Sequence, residues 1–361
     1  MFSASKTTLA ILGGLGLFIG IDAAIFRSGY YAQHFLEPNS SAGALQLTLK
    51  RERKHQAEWK EPLVLTMGDS RMNYSPKLAN EYAAKQGYSF RIGHGGVAGT
   101  NPRCWHYILR ELDPTARRYQ AIVFPVDDYD DEDTYIDYRD YPIDIHYLAP
   151  ILRWEDIPEY PQSYATPKYA QEAWRGVLLK GAALQADLLA FFKDPKKRLR
   201  DFKEVGDWWP NGSYDYLEDE RNVIGLSIDW KTRAATHPPW ADEGFKQTVQ
   251  TVLLRTVPPQ TGVYGRYRAY WFEKIRSRYE GSPTKLIFVK IPRGPLIRPA
   301  EWVKKVSSSV RNANGYVLGD EHRYEELERP EFFRDALHMN RAGATRYGEM
   351  LMDELRAKLA L

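Results

Sequence analysis

The stretch Pro62-Leu63-Val64-Leu65-Thr66-Met67-Gly68-Asp69-Ser70 decides the fold. Its first six residues form a short, almost wholly apolar run that a glycine ends. A run of that length without polar alternation reads as a strand covered on both faces, the state of strands in parallel sheets. Two similar runs follow, Ala121-Ile122-Val123-Phe124 and Lys285-Leu286-Ile287-Phe288-Val289-Lys290-Ile291. Helical patterns separate the three, which gives the α/β class. Reactive groups of such sheets sit in loops at the carboxyl ends of strands, and Asp69-Ser70-Arg71 occupies one such loop.

Composition narrows the function. The 361 residues are 43% hydrophobic and 27% charged, as in a packed globular protein, and 26 Gly with 22 Pro exclude collagen-like and low-complexity readings. Lys plus Arg number 50 against 47 acidic residues, too even a balance for a nucleic-acid binder. The single cysteine, Cys104, excludes an intramolecular disulfide and a Cys-based metal site. The acidic run Asp127, Asp128, Asp130, Asp131, Glu132, Asp133 lacks the spacing of a calcium loop and reads as solvated; neither a metal nor a cofactor is expected. The 24 Tyr and 10 Trp suit a surface that binds sugars, or equally tyrosines that pack on strands and anchor loops.

Thr7 to Phe26 is an almost unbroken apolar stretch between Lys6 and Arg27, twenty residues that match the hydrocarbon core of a bilayer. A cleaved signal peptide competes, but the stretch is long for one and Phe26-Arg27 is a poor cleavage site, so an uncleaved anchor is preferred. Asp22 near one end is expected to reach the headgroups, and Gly16 with Gly20 makes a small-xxx-small step open to a helix partner. Lys6 favours residues 1–6 on the cytoplasmic side of a bacterial-type membrane with the body outside. Lys50-Arg51-Glu52-Arg53-Lys54 reads as a solvated helix face, anionic lipid contact being the minor alternative. The anchor (7–26) is followed by a connector (27–60) and the first part of an α/β core (61–130). An insertion (131–281), a lid or acceptor-binding region holding Trp154, Trp174, Trp208, Trp209, Trp230, Trp240 and Trp271, precedes the second part of the core (282–361).

Three local patterns carry chemistry. Gly68-Asp69-Ser70 follows a strand and is expected to open a helix with the serine hydroxyl exposed, where the helix N-terminus favours negative charge. Gly93-His94-Gly95-Gly96-Val97-Ala98-Gly99-Thr100 concentrates four glycines, whose freed backbone N–H groups can point at an oxyanion. Asp335-Ala336-Leu337-His338 places a carboxylate and an imidazole three residues apart, so that one can orient the other while the second ring nitrogen faces a hydroxyl. Each alone has a bland reading: an N-cap, a flexible loop, an Asp and a His on the surface with no role.

Taken together and in this order, the three patterns resemble the SGNH, or GDSL, hydrolase superfamily over roughly residues 61–130 and 282–361. The resemblance implies a three-layer flavodoxin-like fold around a five-stranded parallel sheet. It also implies Ser70 as nucleophile, His338 as general base, Asp335 as orienting carboxylate, and the N–H groups of Ser70 and Gly96 in the oxyanion hole. Asp127 stands where the family usually has a donor asparagine. A carboxylate cannot donate when ionised, so Asp127 is protonated, or backbone groups suffice, or His94 or Asn101 substitutes. The anchor, the elaborated middle and Gly-Asp-Ser-Arg look like the envelope acyltransferases of alginate O-acetylation and teichoic-acid D-alanylation. That likeness implies acyl (acetyl) transfer through acyl-Ser70 to an envelope polysaccharide, with a multi-span membrane acyltransferase as donor. A carbohydrate or lipid esterase and a catalytically silent assembly module are the other readings.

Overall fold

The computed structural model describes residues 6–72, 74–126, 143–208, 219–254, 267–299, 316–320 and 322–359. They fall into two compact units, 1–47 with 139–208 and 48–138 with 209–361.

In the second unit the short apolar runs pair as parallel strands. β1 (Leu63–Thr66), β2 (Arg91–His94) and β3 (Ala121–Val126) come first; β4 (Ser227–Asp229) and β5 (Ala234–Thr236) form a separate antiparallel ribbon; β6 (Lys285–Lys290) and β7 (Tyr316–Leu318) complete the main sheet. Its order is β2-β1-β3-β6-β7, all parallel. This is the doubly wound arrangement in which the first and third strands lie side by side and the connections diverge from between them.

Alternate strand residues face opposite ways. Val64, Val123 and Ile287 join Tyr347, Leu351 and Leu355 of helix Arg341–Leu359 and Ala79 and Ala83 of helix Pro76–Lys85 in one buried cluster. On the other face Phe124 and Phe288 meet Trp105 of helix Pro102–Leu112 and Phe272 of helix Tyr267–Arg278, with ring centroids 5.1–6.1 Å apart. The sheet is thereby covered on both sides, as its unbroken apolar runs require. The free edge of β2 is blunted by Asn80, whose side chain accepts from the Ile92 N–H and donates to the Ile92 carbonyl, both at 2.9 Å.

Several sequence expectations change. The described parts of the stretch 131–281 do not cluster as one body: residues 143–208 belong with 6–47, and 219–254 and 267–281 with the sheet. Trp271 is fully buried against Tyr107 and His106, so it is a core residue and not a binding surface; Trp209 lies outside the described residues. Lys50-Arg51-Glu52-Arg53-Lys54 is only partly a solvated face. Arg51 and Glu52 are buried and paired at 2.8 Å, and the Arg51 guanidinium also donates to the His94 carbonyl. Burying two charges is tolerated because each satisfies the other.

In the first unit, Thr8–His34 is long and apolar enough to cross a membrane. The sequence assigns Asp22 to the headgroups; the structure buries it instead, accepting from the N–H groups of Gly181 (2.7 Å) and Lys180 (3.3 Å) with Arg27 3.7 Å away. A carboxylate in an apolar segment needs partners, and here the protein supplies them.

Trp271→Ala is expected to destabilise the second unit by about 3–5 kcal/mol, the cost of emptying a core site of that size. Chemical denaturation checks it; a change within about 0.5 kcal/mol, the range of surface substitutions, contradicts the core assignment.

Candidate active site

β1 ends at Thr66, paired with His94 on one side and Val123 on the other, and the chain turns at once. Gly68 has φ +152°, and a Cβ there would stand 2.5 Å from the Met72 Cβ and 3.2 Å from Pro125. Only glycine fits that combination of backbone and space. The Met72 N–H returns to the Asp69 carbonyl (3.1 Å), making a tight turn with Ser70 near its apex. Asp69 locks this turn: its Oδ1 accepts from the Arg71 N–H at 2.8 Å, and its carboxylate takes the Arg71 guanidinium at 3.1–3.3 Å. Burial pushes the Asp69 carboxyl up, but Arg71's charge and hydrogen bonds outweigh it and leave the group below the usual carboxylate range. Ser70 therefore stands on a turn and does not open a helix. The next helix begins at Pro76, where Ser75 accepts from the Leu78 N–H at 3.3 Å, so the helix-dipole argument does not apply to Ser70.

The glycine-rich loop after β2 runs beside that turn. A Cβ on Gly96 would lie 2.6 Å from the Gly68 carbonyl oxygen and 2.7 Å from the His94 ring, so the position cannot carry a side chain without a shift. Among the described residues no acceptor takes the Gly96 N–H, which leaves it available to an external oxyanion. The Thr100 hydroxyl lies 3.1 Å from the Gly68 carbonyl and 2.7 Å from the Val97 carbonyl, and it accepts from the Trp105 indole N–H at 3.0 Å. Asn101 uses its side-chain oxygen to cap helix Pro102–Leu112, accepting from the N–H groups of Arg103 (3.0 Å) and Cys104 (3.4 Å). Asp127 lies outside the described residues.

The third part comes from the far end of the chain. A bridge between Phe333 and Met339 closes a loop in which Asp335 Oδ1 accepts from the N–H groups of Leu337 (2.8 Å) and His338 (2.7 Å). The same carboxylate lies 3.0 and 3.2 Å from His338 Nδ1, and His338 Nε2 lies 3.0 Å from Ser70 Oγ. Ser70, Asp335 and His338, singled out across 268 residues of sequence, meet in one hydrogen-bonded chain. Burial pushes the Asp335 carboxyl up; the hydrogen bond and charge of His338 and two backbone donors outweigh it and hold the group below its ordinary range. In the tautomer whose Nδ1–H donates to Asp335, Nε2 presents its lone pair to the Ser70 hydroxyl. All three side chains are half-buried, so the serine can be reached.

Sequence reading missed the polar layer beneath. Thr66 Oγ1 lies 2.7 Å from the Tyr74 hydroxyl and 2.8 Å from His94 Nδ1, all buried. The hint was a threonine inside an apolar strand. Among the described residues His94 Nε2, buried beside Gly96, has no hydrogen-bond partner. Among the described residues no group of His, Cys, Asp and Glu could hold a metal ion. No protein-family model matches the chain, and comparison with curated proteins gives no match.

Burial, with the charge of Arg51 adding to it and Glu52 partly opposing, drives His94 down to about 3. The unfolded chain binds that proton near pH 6.5. Between these values the unfolded state holds more protons, so acidification costs stability. Taking wild type from pH 6.5 to 5 should cost about 2 kcal/mol more than it costs His94→Gln, read from denaturant midpoints at the two pH values. Parallel losses in both proteins contradict a buried neutral imidazole.

Proposed function

We propose that this chain is a membrane-anchored serine acyltransferase of the SGNH type, acting on the extracytoplasmic side of a bacterial-type membrane. The observation that carries the reading is the Ser70–His338–Asp335 chain at 3.0 Å per link. Further support comes from the strand order β2-β1-β3-β6-β7 with the serine at the carboxyl end of β1, from the unpaired Gly96 N–H, and from the apolar helix Thr8–His34.

In this reading Ser70 Oγ attacks the acyl carbonyl as its proton passes to His338 Nε2. Asp335 holds the ring and balances the imidazolium. The N–H groups of Gly96 and Ser70 take the oxyanion. Collapse of the tetrahedral intermediate hands the proton to the leaving group and leaves acyl-Ser70. An acceptor hydroxyl then attacks the ester carbon; its proton passes to His338 and from there to Ser70 Oγ, and the acylated acceptor departs. The acyl group is acetyl, the donor a multi-span membrane acyltransferase and the acceptor a polysaccharide, all on the strength of the architectural resemblance.

Incubating the full chain with para-nitrophenyl acetate and measuring the mass of the peptide that carries Ser70 tests this. One acetyl group is expected on wild type and none on Ser70→Ala, with release quickened by a polysaccharide acceptor. No acylation, or acylation elsewhere, overturns the nucleophile; release indifferent to acceptor replaces the transferase with an esterase.

A further inference from the structure

The first unit presents a surface that its own packing does not explain. Helices Gln185–Lys193 and Pro195–Trp208 leave Leu189, Phe192 and Leu199 exposed at 54%, 67% and 50%. Around them Lys193 to Lys203 carry six cations against two carboxylates; Arg198 is buried, Lys197 pairs with Asp201, and Arg200 lies 3.6 Å from Asp201 and 3.9 Å from Glu204, which leaves Lys193, Lys196 and Lys203 exposed. Arg198 fixes where this pair of helices sits. It pairs with Glu37 at 2.9 Å and Asp187 at 3.0 Å and donates to the Phe35 carbonyl at 2.8 Å. Asp187 also accepts from the Glu37 N–H at 3.0 Å and from the Tyr31 hydroxyl. Leu184 and Leu188 pack on Phe26, Tyr31 and Leu36. The helices are therefore locked to residues 26–37, where the membrane-length helix ends.

Contacts further up that helix set the depth. Asp22 accepts from the N–H groups of Lys180 and Gly181, and Arg27 donates to the Leu178 carbonyl at 2.9 Å while lying 3.6 Å over the Trp154 ring. The segment leading into helix 185–193 thus touches the apolar helix at Asp22, inside its hydrophobic length. Tyr30, Trp154 and Trp174 are exposed in the same unit, the residue types that favour the headgroup level.

We propose that helices 185–193 and 195–208 form an interfacial docking surface seated on an anionic lipid bilayer. Leu189, Phe192 and Leu199 enter the boundary between headgroups and acyl chains, and Lys193, Lys196 and Lys203 extend to lipid phosphates. Exposed apolar side chains with exposed lysines on the same two helices, tied to the end of a membrane-length helix, match that partner in both charge and position. The proposal rests on Thr8–His34 crossing the same bilayer.

The test uses the full chain with Cys104→Ala, reconstituted in phosphatidylcholine vesicles with or without phosphatidylglycerol. Nitroxides are placed one at a time at Leu189→Cys, Phe192→Cys and Leu199→Cys. Labels at Leu15→Cys, within the apolar helix, and at Glu243→Cys, exposed in the second unit, serve as references. The expected result is an oxygen-to-nickel-chelate accessibility ratio several-fold higher at 189, 192 and 199 than at 243, and higher with phosphatidylglycerol than without. Replacing Lys193, Lys196 and Lys203 by Glu should abolish that lipid dependence. A lipid-immersed label at 15 with water-exposed labels at all three sites overturns the docking surface alone. Labels shielded from both oxygen and chelate replace the bilayer with a protein partner and also overturn it. A water-exposed label at 15 overturns the docking surface and the membrane anchor of the proposed function together, leaving only the acyl-transfer chemistry at Ser70, which the acylation experiment tests separately.

Discussion

Everything at the candidate site depends on β1 being paired on both sides, with β2 along one edge and β3 along the other. That pairing brings the turn after β1 beside the glycine loop after β2, at the point where the connections of a doubly wound sheet diverge and leave a crevice. The close approach is possible because two positions lack a side chain: Gly68, at φ +152°, and Gly96, whose Cα faces the Gly68 carbonyl. The Asp335–His338 loop then needs only to reach this crevice from helix Arg341–Leu359, whose start is fixed by Asn340 accepting from the Gly343 N–H at 3.0 Å.

Rigidity comes from charge and hydrogen bonding below and around the serine. Asp69 is paired with Arg71, and Asp335 is fixed by two backbone donors and faces the imidazole, so both carboxylates are held in one position around Ser70. Beneath them Thr66, Tyr74 and His94 form a buried polar layer, with the Arg51–Glu52 pair attached through the His94 carbonyl. Such layers are costly if any member is lost, because the remaining groups stay buried and unpaired.

The parts of this architecture set by local chemistry were readable from the sequence. Runs such as Ala121–Phe124 and Lys285–Ile291 admit little but buried strands, and Asp-x-x-His curls on itself through its own backbone, as Asp335 does. What escaped reading depends on distant partners. Arg51 and Glu52 resemble their exposed neighbours in sequence, and burial singles them out only because they face each other and the end of β2. Asp22 finds its partners at Lys180 and Gly181, some 158 residues away. β2, four residues beginning with Arg91 and containing a glycine, is too short and mixed to announce itself. A strand followed by Gly-Asp-Ser predicts a helix start at Ser70; the Asp69–Arg71 pair holds a separate turn there and delays the helix to Pro76.

The central claim is that Ser70 is activated by His338 and that Asp335 orients the imidazole. The most direct measurement is the rate at which a serine-directed fluorophosphonate labels the full chain, compared among wild type, Ser70→Ala, His338→Ala and Asp335→Asn. The account predicts labelling of wild type at Ser70, none of Ser70→Ala, and rates lower by orders of magnitude in the other two. Labelling of all four proteins at one rate would contradict it.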